Sequence, residues 1–172
     1  MKMGLERSLP LFLHISLHRM CDHYLPKLLA AIQCLDENEI WCCETEESHS
    51  IGGIILHICE HIHRNALQLS NPTVQFSNGM EEYFPNGHWT SGELCEYVQE
   101  IFNEWRVEVE KRLEWDQGVD MHRMYHVVEH TSYHLGQIID RTKRLKRISF
   151  QFCQKGLNEK GLREMIEAKC TK

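Results

Sequence analysis

The stretch that decides the fold is residues 120–146, DMHRMYHVVEHTSYHLGQIIDRTKRLK. Nine mostly apolar residues recur in it at intervals of three and four, the period of an amphipathic α-helix. They are Met121, Met124, Val128, Thr131, Leu135, Ile138, Ile139, Thr142 and Leu145. Asp120 can cap this helix, because its carboxylate accepts hydrogen bonds from first-turn N–H groups. We therefore predict a helix over residues 120–146, called helix 4.

Two segments before helix 4 repeat the same period. Helix 3 is predicted over residues 90–115, and Thr90-x-x-Glu93 at its start has the form of a capping box. Helix 2 is predicted over residues 50–70. Between them, residues 71–89 hold two prolines and two Asn-Gly pairs and predict a loop. A loop of this length crosses the fold or covers a site.

The two ends of the chain complete the prediction. Helix 1 is predicted over residues 10–35, with Pro26 kinking or splitting it because proline lacks a backbone N–H. Residues 36–49 are acidic and predict an irregular segment, and a short helix over 158–169 closes the chain. No strand-like alternation is sustained. We expect an all-α fold: one domain over residues 1–172, built as a four-helix bundle with a long helix 2–helix 3 crossover.

Composition excludes several classes of function. The 172 residues contain 19 Lys+Arg and 25 Asp+Glu, a formal net charge of −6, whereas nucleic-acid binders need a basic surface. No apolar stretch reaches the ~20 residues of a membrane span, and residues 1–8 do not form a signal peptide. We expect a cytoplasmic protein that binds neither nucleic acid nor membranes. Its eight cysteines include no C-x-x-C and predict reduced, mostly buried thiols.

Twelve histidines are present, and four of them form two helical pairs. His57 and His61 lie four apart on helix 2, and His130 and His134 lie four apart on helix 4. Residues at this spacing share a helix face, so two imidazoles can bind one ion. His126 extends the helix 4 row but lies about 12 Å from His134, too far to share an ion. The third ligand must come from another helix; His57 is the best candidate and His61 the substitute.

The residues around these histidines resemble a known family. The sequence HTSYHLGQI over 130–138, with LHI over 56–58, is similar to the DinB/YfiT-like superfamily of bacterial four-helix metalloproteins. The signature of that superfamily is H-x-x-[YH]-H-x-G-Q-I on the last bundle helix and one histidine on the second helix. The resemblance covers residues 10–148.

The resemblance implies a site and a function. It implies that His57, His130 and His134 bind a divalent ion, commonly zinc or nickel, and that the protein is a homodimer. Some branches of the superfamily are transferases or isomerases that use bacillithiol, mycothiol or glutathione. Three imidazoles leave an ion one open position, the arrangement of catalytic zinc sites. The implied function is therefore a metal-dependent thiol S-transferase acting on a small-molecule electrophile, with hydrolysis as its variant.

Spacing does not fix a general base for such a reaction. The candidates are Glu60, Glu129 and His61. The competing function is a non-catalytic metal-binding or stress-related module. A di-iron bundle is rejected because it needs two E-x-x-H motifs, and only Glu60-x-x-His63 is present. Haem is rejected because C-x-x-C-H is absent and three histidines fit a bare ion better.

Three further features of helix 4 carry predictions. Gly136 lies mid-helix at a cost of ~1 kcal/mol relative to alanine, which indicates close approach by another helix or a ligand. Gln137 is a candidate to hold an imidazole N–H or a water, with an exposed amide as the alternative. The basic residues of 141–147 complement the helix dipole in solvent or, alternatively, attract a phosphate or an acidic partner.

Overall fold

The computed structural model of the chain describes residues 8–114 and 118–170, with side chains through Ala168. These residues form helices and connecting loops and contain no β-strand, so the all-α prediction is confirmed. The predictions about the N-terminal leader and about the end of helix 3 at Trp115 fall outside the described residues. None of the described helices is both long enough and apolar enough to cross a membrane.

The first predicted helix is divided, as Pro26 suggested. It consists of α1 (Ser8–His18), a π-helical turn (Arg19–Tyr24) and α2 (Leu25–Ile32). Pro26 lies in the first turn of α2, where its missing N–H costs no helical hydrogen bond. The wider π-helical turn directly before it accommodates the change, and α2 ends three residues before the predicted boundary at residue 35.

The prediction of an irregular segment over residues 36–49 is wrong in part, because it contains the short helix α3 (Glu37–Trp41). Asp36 and Glu39 form a complete capping box: Asp36 Oδ1 accepts from the Glu39 N–H, and Glu39 Oε2 accepts from the Asp36 N–H, both at 2.9 Å. Ile40 is fully buried and anchors α3 in the core.

The next two predicted helices are confirmed. Helix α4 (Ile51–Ser70) is capped by Ser50, whose Oγ accepts from the Gly53 N–H. Helix α5 (Ser91–Glu114) begins at the predicted capping box of Thr90 and Glu93. The loop between them contains one 3₁₀ turn, Met80–Glu82.

The last helices are also confirmed. Helix α6 (Met121–Lys146) is capped by Asp120, and α7 (Glu159–Cys170) follows a 3₁₀ turn at Cys153–Lys155. The buried stripe of α6 is shorter than predicted, because its first and last residues, Met121 and Leu145, are 49% and 46% exposed.

Helix α4 lies at the centre of the packing, in contact with both α5 and α6. Helix α2 also packs against α5 and α6, while α7 packs on α1. Trp105 of α5 is fully buried, and its Nε1 donates a hydrogen bond to Asn65 Oδ1 of α4 at 2.7 Å. This contact satisfies both polar groups inside the apolar core, so α4 is fixed against α5 while its opposite side faces α6.

The basic cluster over 141–147 does more than complement the helix dipole. Arg141 donates to the His49 carbonyl at 2.6 Å and lies 3.3 Å from Glu44. Lys146 contacts both carboxylate oxygens of Glu39 at 3.0 Å. These contacts hold the segment between α2 and α4 against α6.

The cysteines agree only partly with the sequence prediction. The seven whose side chains are described are free thiols, as expected. Cys21, Cys59 and Cys95 are buried, but Cys34 is half-buried and three more are exposed, so the prediction of mostly buried thiols is wrong. The exposed thiols are Cys42, Cys43 and Cys153.

Candidate metal centre

Three histidines converge where α4 meets α6. One ligand nitrogen each from His57, His130 and His134 lies within 4.8 Å of the other two. The ring centroids are separated by 4.9 Å (His57–His130), 5.0 Å (His57–His134) and 4.5 Å (His130–His134). Three imidazoles bound tetrahedrally at 2.0–2.1 Å would place their centroids about 5 Å apart. The structure thus brings together the three predicted ligands, in an arrangement that fits a divalent ion.

Two of these rings are oriented by hydrogen bonds from their Nδ1 atoms. His57 Nδ1 lies 3.0 Å from the Tyr83 carbonyl, and His134 Nδ1 lies 2.8 Å from Gln137 Oε1. Since both oxygens are acceptors, each Nδ1 carries the proton and each Nε2 has a lone pair, which His57 uses to accept a hydrogen bond from His130 Nε2 at 2.8 Å. Bonds from Nδ1 leave Nε2 as the atom that can bind an ion. This is the usual pattern around metal-binding histidines. The predicted role of Gln137 as a partner of an imidazole N–H is therefore observed, on His134.

The imidazoles at this contact are held neutral. Burial lowers the pKa of His57 and of His134 below the ordinary imidazole value. For His130, burial and then the adjacent rings of His61 and His134 lower the pKa to about 3. A neutral imidazole is the form that binds a metal, so no proton must be removed at neutral pH before an ion enters.

The loop between α4 and α5 covers one side of the site. Phe84 stacks on His57 at 4.2 Å between centroids, and His49 stacks on the other face of Phe84 at 3.7 Å. The loop approaches α4 closely at Gly53, where a Cβ would lie 3.2 Å from the Pro85 carbonyl. A glycine at this position leaves room for the loop to reach the site.

The sequence did not identify His49, Tyr83 or Phe84 as site residues. They come from segments that lack a helical period, and no motif marks them. The only available signal was the length of the loop, which indicated that it crosses the fold or covers a site. The structure shows that it covers the site.

A cleft of about 470 Å³ opens beside His134. Its walls include Phe84, Tyr133, Gln137 and Arg141. Tyr133 is 63% exposed and lies at the mouth of the cleft, next to His134. The volume is in the range of small-molecule sites, and of the three histidines His134 lines the cleft.

Of the other residues considered from the sequence, one lies beside the three histidines and the rest do not. His61 lies beside the centre, with its ring 4.0 Å from that of His130. Glu60 is paired with Arg64 at 2.6 Å, and Glu129 is exposed on α6. His63 contacts Glu104 at 3.3 Å instead of the histidine cluster.

Gly136 does not have the role expected of close helix packing. A Cβ there would meet no described atom within 4 Å, and the position is exposed. The interpretation through packing against another helix of this chain is therefore wrong for the part of the chain described. The alternative, close approach by a ligand, stays a prediction.

Comparisons with known proteins add no relative to this picture. No family model matches the chain, and no curated protein or solved structure is significantly similar to it.

Proposed function

We propose that this protein is a divalent-metal-binding member of the DinB/YfiT-like superfamily, with its long helices arranged as a four-helix bundle. In this proposal His57, His130 and His134 hold zinc or nickel. The observation that carries it is the convergence of these three ligand nitrogens within 4.8 Å. The Nδ1 hydrogen bonds of His57 and His134 support it, because they leave the Nε2 atom of each ring as the one that can bind an ion.

We propose further that the centre supports transfer of a small thiol to an electrophile, or the corresponding hydrolysis. A divalent ion on three neutral imidazoles has an open position and makes a thiol or water bound there more acidic. The residues around the centre would exclude water and admit the substrate. Phe84 shields the His57 side of the centre from water, and the cleft beside His134 admits the substrate.

The walls of the cleft suit a small polar thiol. Asp140, Arg141 and Arg144 line it with charges of both signs, of which Asp140 and Arg144 are paired at 3.0 Å, and Phe84 lines it with an aromatic ring. Low-molecular-weight thiols such as glutathione and bacillithiol carry both amine and carboxylate groups, so charges of both signs can be matched. Among the candidate bases, His61 contacts the histidine cluster, whereas Glu60 is paired with Arg64 and Glu129 is exposed.

The test is turnover by the metal-loaded full chain of an electrophilic model substrate with glutathione, bacillithiol and mycothiol, each assayed separately. We expect metal-dependent turnover with at least one thiol and its loss in His57→Ala. The matched control is His63→Ala, a histidine of the same helix that contacts Glu104 instead. If stoichiometric metal binding is present but no thiol or water reacts, the protein is a non-catalytic metal-binding module.

The homodimer is also a proposal, and it rests on the resemblance. Exposed apolar side chains on α6 provide a surface for it, including Tyr125 at 56% and Tyr133 at 63% exposure. Light scattering of the purified chain tests it, with twice the 20.4 kDa mass expected and a monomer contradicting it.

A further inference from the structure

A row of five imidazoles follows the contact between α4 and α6. The side chains are His126, His130 and His134 from α6 and His57 and His61 from α4. Beyond the inner centre, which is His57, His130 and His134, the ring centroids are 4.0 Å apart for His61–His130 and 5.7 Å for His61–His126. The His126–His130 separation is 5.3 Å. The row therefore continues past the inner centre with no gap.

Exposure rises steadily along this row. His57 and His134 are 1% and 7% exposed, His130 and His61 are half-buried, and His126 is exposed. An ion that moved from solvent to the inner centre along the row would have an imidazole beside it at each stage. A metal site needs an entry path, and the row provides one in addition to the cleft beside His134.

His61 provides an independent sign of a ligand. Its Nε2 is buried and has no hydrogen-bond partner in the described part of the chain. Most buried side-chain polar atoms in folded proteins have a hydrogen-bond partner, because a buried polar atom without one destabilises the fold. An imidazole nitrogen in this state, with two further imidazoles beside it, can be satisfied by a metal ion.

We propose that His61 and His126, together with His130, form an outer divalent-metal position through which ions reach and leave the inner centre. The proposal rests on the proposed metal site. Because His130 belongs to both positions, they are alternatives for a single ion. The ring separations of the outer position are 4.0, 5.3 and 5.7 Å, against about 5 Å for imidazoles on one ion, and its ligand nitrogens do not all lie within the 4.8 Å that the inner centre meets. An ion there requires the His61–His130 pair to open by about 1 Å and the exposed His126 side chain to move closer to both.

Loading kinetics of the metal-free full chain with cobalt(II), followed by absorption, test the outer position. We expect both loading and chelator-driven release to slow by about tenfold in His126→Ala and in His61→Ala, with the dissociation constant unchanged. His126 is exposed, so its removal leaves the core intact. His63→Ala is the matched control and should load at the wild-type rate. Wild-type rates in both variants, or a changed dissociation constant at an unchanged loading rate, would overturn the proposal.

Equilibrium binding separates this proposal from the inner centre itself. We expect His57→Ala to retain one weakly bound cobalt(II) ion, which His57→Ala/His126→Ala loses. If wild type binds one ion tightly and His57→Ala binds none, the outer position is overturned while the inner centre stands. If wild type and His57→Ala bind the same weak ion and His126→Ala loses it, the inner centre fails and the outer position stands. If wild type binds no ion, both are overturned.

Discussion

His57 Nδ1 donates a hydrogen bond to the main-chain carbonyl of Tyr83 at 3.0 Å. The two residues lie 26 positions apart, so this bond joins the middle of α4 to the loop that precedes α5. The next residue, Phe84, stacks on the same imidazole. The orientation of a proposed metal ligand and the position of the loop are therefore determined together, and metal binding should stabilise the loop.

Replacement of Phe84 by alanine should increase the rate at which the centre releases its metal ion. The ring covers His57, and aromatic pairs of this kind contribute about 0.5–1.5 kcal/mol beyond the area that they bury. We expect Phe84→Ala to release its ion to a chelator faster than wild type while the helical circular dichroism is unchanged. Phe76→Ala is the control, because this loop phenylalanine packs on Arg64 instead. Equal release rates in the two variants would show that Phe84 does not cover the site.

Gln137 should support metal affinity without binding the ion. Its Oε1 accepts the His134 Nδ1 proton, and loss of such a partner weakens metal binding by about 10–100-fold. We expect Gln137→Leu to show that loss in a competition titration, and Gln137→Glu to bind at least as tightly as wild type. Gln99→Leu, at an exposed position on α5, is the control. Wild-type affinity in Gln137→Leu would contradict the assigned hydrogen bond.

Two glycines should respond oppositely to alanine. A Cβ at Gly136 meets no described atom, so Gly136→Ala should raise the free energy of unfolding by up to ~1 kcal/mol. At Gly52 a Cβ would lie 2.5 Å from the Trp41 ring, so Gly52→Ala should lower the free energy of unfolding by about 1–3 kcal/mol. Chemical denaturation measures both. Destabilisation by Gly136→Ala would contradict the open surroundings seen at that position.

Stability should fall in acid partly because of His23. Burial, and then the neighbouring Lys27, lower the pKa of His23 in the folded chain. Below the ordinary imidazole pKa of about 6.5 the unfolded chain therefore binds a proton that the folded chain does not. The contribution of His23 is complete above that pH and is lost as the pH decreases below it. Denaturation at several pH values should show a flatter acid slope for His23→Gln than for wild type.

The control for this pH dependence is His88→Gln, at an exposed position in the loop before α5. It should keep the wild-type slope. The prediction fails if His23→Gln and His88→Gln show the same dependence of the free energy of unfolding on pH.

The long helices could be predicted from sequence because each buries one stripe, and burial imposes a period of three and four. The short helix α3 has only five residues, too few to show a period. Its capping box, Asp36-x-x-Glu39, was the available signal. The π-helical turn before Pro26 has no comparable signature, since proline predicts a break but not its form.

The candidate site also contains residues that the sequence predicted and residues that it did not. The histidine pairs were visible because two ligands on one helix lie three or four residues apart. The covering residues Tyr83 and Phe84 were not, because their position depends on how an aperiodic loop folds back over α4. The position of His61 beside His126 could not be predicted either, because it depends on the antiparallel pairing of α4 with α6, in which His57 faces His134 and His61 faces His126.

The metal content of the untagged chain tests the central claim most directly. Elemental analysis after loading with zinc or nickel and removal of excess ion should find one ion per wild-type chain. His130→Ala removes the ligand shared by the inner and outer positions and should retain none, although circular dichroism should show it folded. Wild-type protein that takes up no ion, or His130→Ala that retains a full equivalent, would contradict the account.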